Sequence, residues 1–199
     1  MVSIRGVFTS AVALLAVPAL AAVTPAELVK NLHLLTQQSK ALQGPAQSIN
    51  LVNTPLILIG QGPYPIVIAG LNNMTQTATA DISTMQGSAP VTASPDAVAI
   101  AGAFRNFVQT HVGLLKILTG KAGLLDRIPI GEPVVQTLEA NQNVLDAGGL
   151  SPVDSIQSAA DRNQIAADRK SLESAFQAAI SAYRGIAGPT KRHVRDLSA

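Results

Sequence analysis

The stretch that decides the fold is DAVAIAGAFRNFVQTHVGLLKILT, residues Asp96–Thr119. In a helix its apolar side chains fall on two adjoining stripes, because an α-helix repeats about every 3.6 residues. One stripe holds Ala97, Ala101, Phe104, Val108, Leu115 and Leu118, and the other holds Ile100, Phe107, Leu114 and Ile117. Together they form an apolar arc wider than a surface helix needs. We therefore expect a buried helix that is the common partner of several others.

Proline-containing capping patterns mark the starts of further helices. Thr24–Glu27 (TPAE) has the sequence of a capping box, and Ser94–Asp96 (SPD) and Ser151–Asp154 (SPVD) combine a cap residue, a proline and an acid. Pro133 opens a shorter helix, which Gly148-Gly149 ends. These starts, and the shortage of alternating segments, predict an all-α bundle of about five amphipathic helices.

The region after the first helix allows more than one interpretation. Leucines recur from Leu28 to Leu42 at helical spacing, but Gly44-Pro45 interrupts this seam. Ile49 and Val52 keep the same phase, so the helix either ends at the proline or resumes after a kink. The segment NTPLILIGQGPYP, residues 53–65, is rich in helix breakers and is compatible with helix, hairpin or loop.

Residues 1–21 have the pattern of a secretory signal peptide. Arg5 supplies a positive charge, Val7–Val17 is an uncharged apolar run, and the segment ends in Ala-Leu-Ala, a pattern typical of signal peptidase sites. The apolar run is about half of the roughly 20 residues that a membrane span needs. We therefore predict a secreted protein without a transmembrane anchor, with a helical domain at 22–188 and a disordered basic tail at 189–199.

Charge and cysteine content exclude several classes of protein. Residues 22–188 hold ten basic and eleven acidic side chains, so the predicted domain lacks the basic face that a nucleic acid partner requires. The chain has no cysteine, which excludes the disulfide-stapled families of small secreted proteins. The mean hydropathy of +0.30 is high, which indicates apolar surface in excess of an ordinary core.

No constellation in the sequence argues for catalysis. His33, His111 and His193 lack a second ligand at helical spacing, so we expect no metal site, and we place the first two at the edges of a core. The nucleophile elbow Gly-x-Ser-x-Gly is absent, and the carboxylates are scattered singly. We expect a protein that is not an enzyme and needs no cofactor.

Apolar side chains at the helix seams are the candidate ligand-binding residues. In the alternative interpretation, the same side chains are ordinary core. The set consists of Leu71, Met74, Phe104, Val108, Leu115, Leu118, Leu138, Phe176 and Tyr183. A bound carboxylate would also need a cation at the mouth of the seam, for which Arg105, Lys116 and Lys121 are the candidates.

Two short patterns concern processing. Asn73-Met74-Thr75 is a glycosylation sequon in which helical phase places Asn73 on the polar face. Lys191-Arg192 is a dibasic pair in the predicted tail, where a secretory protease could cut.

The chain resembles the fungal hydrophobic surface-binding protein A family, which is related to the cell-wall galactomannoproteins. The resemblance is carried by TPAELVKNL near the start, FVQTHVGLLKILTGKAGLL in the central helix and FQAAISAY at Phe176–Tyr183. It implies a helical bundle, secreted or associated with the fungal cell wall, that adsorbs to hydrophobic surfaces or encloses fatty acids between its helices. The chain lacks a Ser/Thr-rich stalk and a hydrophobic C-terminal tail, which favours a freely secreted form.

Two functions follow as expectations. The first is a non-catalytic protein that binds a hydrophobic surface, a lipid or a fatty acid through its apolar seams. The second is a structural mannoprotein of the cell wall, or a host-interaction protein, which has no lipid ligand and contacts wall polysaccharide.

Overall fold

The structure is a computed structural model that describes residues 23–85, 94–125, 131–147 and 158–187. These residues form five α-helices and two short 3-10 helices, and they contain no strand. The α-helices are α1 (Pro25–Ser48), α2 (Pro63–Met85), α3 (Ser94–Lys121), α4 (Gly131–Ala147) and α5 (Ala159–Ala187). The 3-10 helices span Thr54–Ile59 and Ala122–Leu125. The predicted all-α fold is confirmed.

The five helices pack as a closed ring. Helix α1 contacts α2, α2 contacts α4, α4 contacts α5, α5 contacts α3, and α3 returns to α1. The most extensive contacts are those of α3 with α1 and with α5. Helix α3 is thus the common partner of α1 and α5, as expected of a helix that packs against several others, and α2 and α4 complete the ring through their other neighbours.

The side chains of α3 explain why its contacts dominate. Every member of its two predicted stripes is buried except Ile117, which is partly exposed. Such a wide apolar arc fits between two neighbouring helices, and it also faces the interior of the ring.

Helix α1 begins at the predicted capping box. The backbone N–H of Thr24 donates to Glu27 Oε2 over 2.8 Å, and the Glu27 N–H donates to Thr24 Oγ1 over 3.3 Å. The helix continues through Pro45 to Ser48, so Gly44-Pro45 does not end it. The apolar phase holds as far as Ile49, which is fully buried.

The segment between α1 and α2 is a 3-10 helix followed by a tight turn. Gly60 and Gly62 have φ values of 71° and 86°, a region that glycine adopts without strain. This turn reverses the chain into α2, which begins at Pro63. Val52 is 87% exposed, so its predicted place in the α1 seam is wrong. The chain turns at Asn50–Asn53, where Asn50 and Asn53 cap each other's backbone.

Several predictions concern residues outside the described ranges. They are the signal peptide at 1–21, the disordered tail at 189–199 with its dibasic pair, and the helix start at Ser151–Asp154.

Helices α1 and α2 approach closely at Gly70. A Cβ atom at this position would lie 2.2 Å from Leu42 Cδ2 and 3.0 Å from Leu42 Cγ, and Leu42 is itself buried. Any Cβ at this position would force the buried Leu42 side chain to move.

We predict that Gly70→Ala lowers the free energy of unfolding. Overpacking costs roughly 1–3 kcal/mol, which exceeds the roughly 0.5–1 kcal/mol that alanine contributes in a helix interior. Gly102→Ala is the matched control, because its Cβ would meet nothing within 4 Å. Urea unfolding should show the control slightly more stable than the parent and Gly70→Ala less stable. Equal stabilisation of both variants would contradict the close approach.

Candidate functional site

The nine candidate ligand-binding residues all lie in the core of the ring. Each is at most 2% exposed, and they belong to one cluster of buried side chains. Helix α2 supplies Leu71 and Met74, α4 supplies Leu138, and α5 supplies Phe176 and Tyr183. The other four residues lie on α3. The structure therefore brings the set together as packed interior, away from the surface grooves described below.

A polar cluster lies at the centre of the ring, and every helix contributes to it. His111 on α3 is fully buried, and its Nδ1 lies 2.9 Å from Ser39 Oγ on α1. The Ser39 hydroxyl also lies 3.8 Å from Met74 Sδ on α2. The His111 ring lies 5.3 Å, centroid to centroid, from Phe176 on α5. Asn141 on α4 completes the cluster and is likewise fully buried.

Hydrogen bonds fix the orientation of Asn141. Its Nδ2 donates to Thr75 Oγ1 over 3.1 Å, and the Thr75 hydroxyl donates in turn to the Leu71 carbonyl. Asn141 Oδ1 and His111 Nε2 are buried and have no hydrogen-bond partner. The Ser39 hydroxyl has one proton, and the direction of its bond to His111 Nδ1 depends on which ring nitrogen of the imidazole is protonated.

The polar cluster is unsuited to acid-base chemistry near neutral pH. Burial lowers the pKa of His111 to about 4, and the nearby Asn141 side chain opposes this fall. Ser39, His111 and Asn141 resemble a nucleophile, a base and an orienting group, but such a weak base does not activate a hydroxyl. The Ser39 hydroxyl is also within 2.9 Å of the Leu35 carbonyl of its own helix. We interpret the cluster as a structural network, and we correct the expected edge position of His111.

We predict that acid destabilises the fold through His111. The folded-state pKa lies below the ordinary value, so the unfolded chain binds more protons and stability falls as the pH drops from 6.5 to about 4. The free energy of unfolding should fall by about 3 kcal/mol over this pH range, because a pKa difference of one between the folded and unfolded states corresponds to about 1.36 kcal/mol. Urea unfolding between pH 7 and pH 4 measures it.

The control for this pH effect is His33→Gln, which changes an exposed histidine and should keep the full pH dependence. His111→Asn keeps a polar partner for Ser39, and it should be less stable at pH 7 but should vary less with pH. An unchanged pH dependence in His111→Asn would exclude His111 as the source.

A second set of polar contacts closes the end of the ring where α1 and α3 finish. The Tyr183 hydroxyl donates to the Leu118 carbonyl over 3.0 Å, and the Tyr64 hydroxyl donates to the Lys121 carbonyl over 3.2 Å. Burial raises the pKa of both tyrosines. The Lys121 ammonium donates to the carbonyls of Gln47 and Ile49, over 2.8 and 2.7 Å, at the end of α1.

The three candidate cations therefore have different surroundings. Lys121 is engaged at the end of α1. Arg105 pairs with Asp168 of α5 over 3.5 Å. Lys116 is exposed and forms no ion pair with any described residue. Lys116 is the cation that remains available to a bound anion.

Lys116 lies beside two surface grooves. The first, of about 330 Å³, runs between α3 and α5, and its lining is mostly apolar. It is lined by Val112, Lys116 and Thr119 of α3 and by Ser171, Ser174, Ala175 and Ala178 of α5. The second, of about 520 Å³, lies between the ends of α1 and α3 and includes Ile49, Ile117 and Leu124. A third groove between α4 and α5 is lined mainly by polar side chains.

Exposed large apolar side chains concentrate in the segment from Leu51 to Ile66, which we call the apolar end. Six of the eight most exposed large apolar residues described lie there, namely Leu51, Val52, Leu56, Leu58, Ile59 and Ile66. The sequence has no acidic residue between Glu27 and Asp81. An uncharged apolar surface of this kind marks a site of interaction.

Within the described ranges, no group of acidic or histidine side chains could hold a metal ion. No helix in these ranges is long and apolar enough to cross a membrane. Asn73 is exposed on α2, as its helical phase predicted.

Comparison with protein-family models and with curated proteins finds no match. A similar solved structure is the crystal structure of AFMP4P in complex with palmitic acid, with a TM-score of 0.60 and 19% sequence identity. The match covers 80% of this chain and 99% of that chain. At this identity the likeness shows a shared helical fold.

Sequence reasoning missed the polar cluster and the apolar end. Ser39 gave a signal, because it stands in the leucine seam of α1 where an apolar residue is expected. Asn141 gave none, since its partners lie 66 and 70 residues away along the chain. The pattern of residues 53–65 is compatible with helix, hairpin or loop, and nothing in it distinguishes buried from exposed side chains.

Proposed function

We propose that this protein binds fatty-acid-like lipids and adheres to hydrophobic surfaces, without catalysing a reaction. The observation that carries the proposal is the apolar end. Leu58 and Ile59 are 63% and 66% exposed, and leaving such side chains in water forfeits about 25 cal/mol for each Å² of apolar area. Contact with an apolar surface recovers that free energy.

The shared fold supports the lipid part of the proposal. The AFMP4P structure contains palmitic acid, and the ring of this chain encloses an apolar interior. The nine candidate residues would contact an acyl chain only after neighbouring helices separate, because all nine are buried. Burial of the acyl chain would offset the internal packing lost in this separation.

The setting of this function is export from a fungal cell, to the medium or to the cell wall. The signal-peptide pattern at 1–21 and the exposed position of Asn73 in its sequon support this part of the proposal. A glycan on Asn73 would project from α2 into solvent. The family resemblance adds wall polysaccharide as a further partner.

Native mass spectrometry of protein purified from a fungal host tests lipid binding. We expect a co-purifying species with the mass of a fatty acid, which delipidation removes and added palmitic acid restores. A protein that carries no lipid and takes up none, yet stays in the wall fraction after detergent, would favour the alternative of a structural wall mannoprotein.

We predict that Leu58→Ser combined with Ile59→Ser weakens adsorption to a hydrophobic surface. Removing two exposed apolar side chains from the contact should reduce affinity roughly tenfold or more, since burial of each contributes up to about 1.5–3 kcal/mol. Adsorption to a methyl-terminated surface, followed by a quartz crystal microbalance, measures it.

The control is Leu34→Ser combined with Val98→Ser, which removes two exposed apolar side chains outside the apolar end. The control should adsorb like the parent, and both double variants should keep the unfolding midpoint of the parent to within a few degrees. Equal loss in the two variants would show that adsorption has no preferred site.

A further inference from the structure

We infer that the groove between α3 and α5 is a preformed binding site for an acyl chain with an anionic head group, and that Lys116 pairs with the head group. This inference rests on the proposed lipid-binding function and adds a second place for it, one that is accessible without separation of the helices. The place differs from the ring interior, because none of the nine buried candidate residues lines the groove.

The shape of the groove follows from the residues on its two walls. Val112 and Ala175 are almost fully buried and form its floor. Ser171, Ser174 and Ala178 form the α5 wall, and their short side chains leave the space open. The α3 side spans the eight residues from Val112 to Thr119, which corresponds to about 10 Å along the helix. A groove of this length with mostly apolar lining suits part of an extended alkyl chain.

Contacts between α3 and α5 hold the groove in place on both sides. Arg105 pairs with Asp168 ahead of it, and the Tyr183 hydroxyl donates to the Leu118 carbonyl at its far end. The helices therefore need not move to admit a ligand, and a preorganised site avoids the ordering cost of binding.

The charge of Lys116 determines which class of ligand complements the groove. Lys116 stands on the groove wall without an ion-pair partner among the described residues. The acid nearest the α5 wall in sequence, Glu173, is not part of the lining. A single cation beside an apolar channel complements a single-chain anionic amphiphile such as a fatty acid carboxylate. It disfavours a cationic amphiphile of equal chain length.

The experiment is calorimetric titration of the full chain with dodecanoate, at concentrations below micelle formation. Ala178→Leu fills the groove, and Ala167→Leu adds the same bulk at an exposed position of α5 outside it. We expect Ala178→Leu to abolish dodecanoate binding at this site and Ala167→Leu to bind like the parent.

Lys116→Gln tests the head-group contact. Loss of a solvent-exposed ion pair should weaken dodecanoate binding roughly two- to fivefold, and Lys116→Arg should restore it. Lys40→Gln removes an exposed cation of α1 away from the groove and should have no effect. Dodecyltrimethylammonium should bind more weakly than dodecanoate to the parent, and this difference should disappear in Lys116→Gln.

The outcomes separate this inference from the proposed function. If the parent binds dodecanoate and Ala178→Leu binds it equally well, the groove is not the site, while the lipid-binding function stands. If Lys116→Gln binds like the parent, the head-group assignment is overturned. If the parent binds neither dodecanoate nor palmitic acid, the proposed function itself fails.

Discussion

The structure depends on the burial of aliphatic side chains between α3 and its two main neighbours, α1 and α5. The chain has no cysteine, so disulfides do not stabilise it, and aromatic residues make up only 3% of it, although Phe104, Phe107 and Phe176 are fully buried. Leucine, isoleucine, valine and alanine fill most of the interior, and helices lined by such small side chains must approach closely to exclude water. The close contact at Gly70 is one result of this requirement.

Helix existence was predictable because it depends on local rules. The capping box at Thr24–Glu27, the stripes of α3 and the apolar phase of α2 are each encoded within a few turns, and the structure contains all of them. The behaviour at Pro45 was less predictable. A proline weakens a helix locally, but burial of Ala46 and Ile49 on the same face keeps α1 continuous.

Local sequence rules do not specify which helices become neighbours. The wide apolar arc of α3 correctly indicated deep burial, but an arc does not specify whether two or four helices cover it. The polar cluster was hidden for a related reason, since Ser39, His111 and Asn141 meet only through the ring. Of the candidate site, the sequence identified Lys116 as one of three cations, and the contacts of the folded chain separated it from Arg105 and Lys121.

The placement of polar groups separates two kinds of surface in this protein. The interior holds neutral, hydrogen-bonded groups, and the lowered pKa of His111 keeps its imidazole uncharged near neutral pH. Ionised side chains remain on the outside, where they cost little desolvation free energy. The exposed apolar area is concentrated in the apolar end, which is separate from the helix faces that carry most of the charge.

The bond from Lys121 to the end of α1 has a mechanical consequence. Its ammonium donates to two carbonyls, and Gln43 Nε2 donates to the Thr110 carbonyl, so the C-terminal part of α1 is tied to α3. Pulling these two helices apart would break charge-assisted bonds, which are among the stronger ones. Between α2 and α4, the described residues form only uncharged hydrogen bonds, from Asn141 Nδ2 to Thr75 Oγ1 and to the Leu71 carbonyl. These bonds are weaker than those of Lys121. Of these two joints, the one between α2 and α4 would therefore separate at the lower cost in free energy.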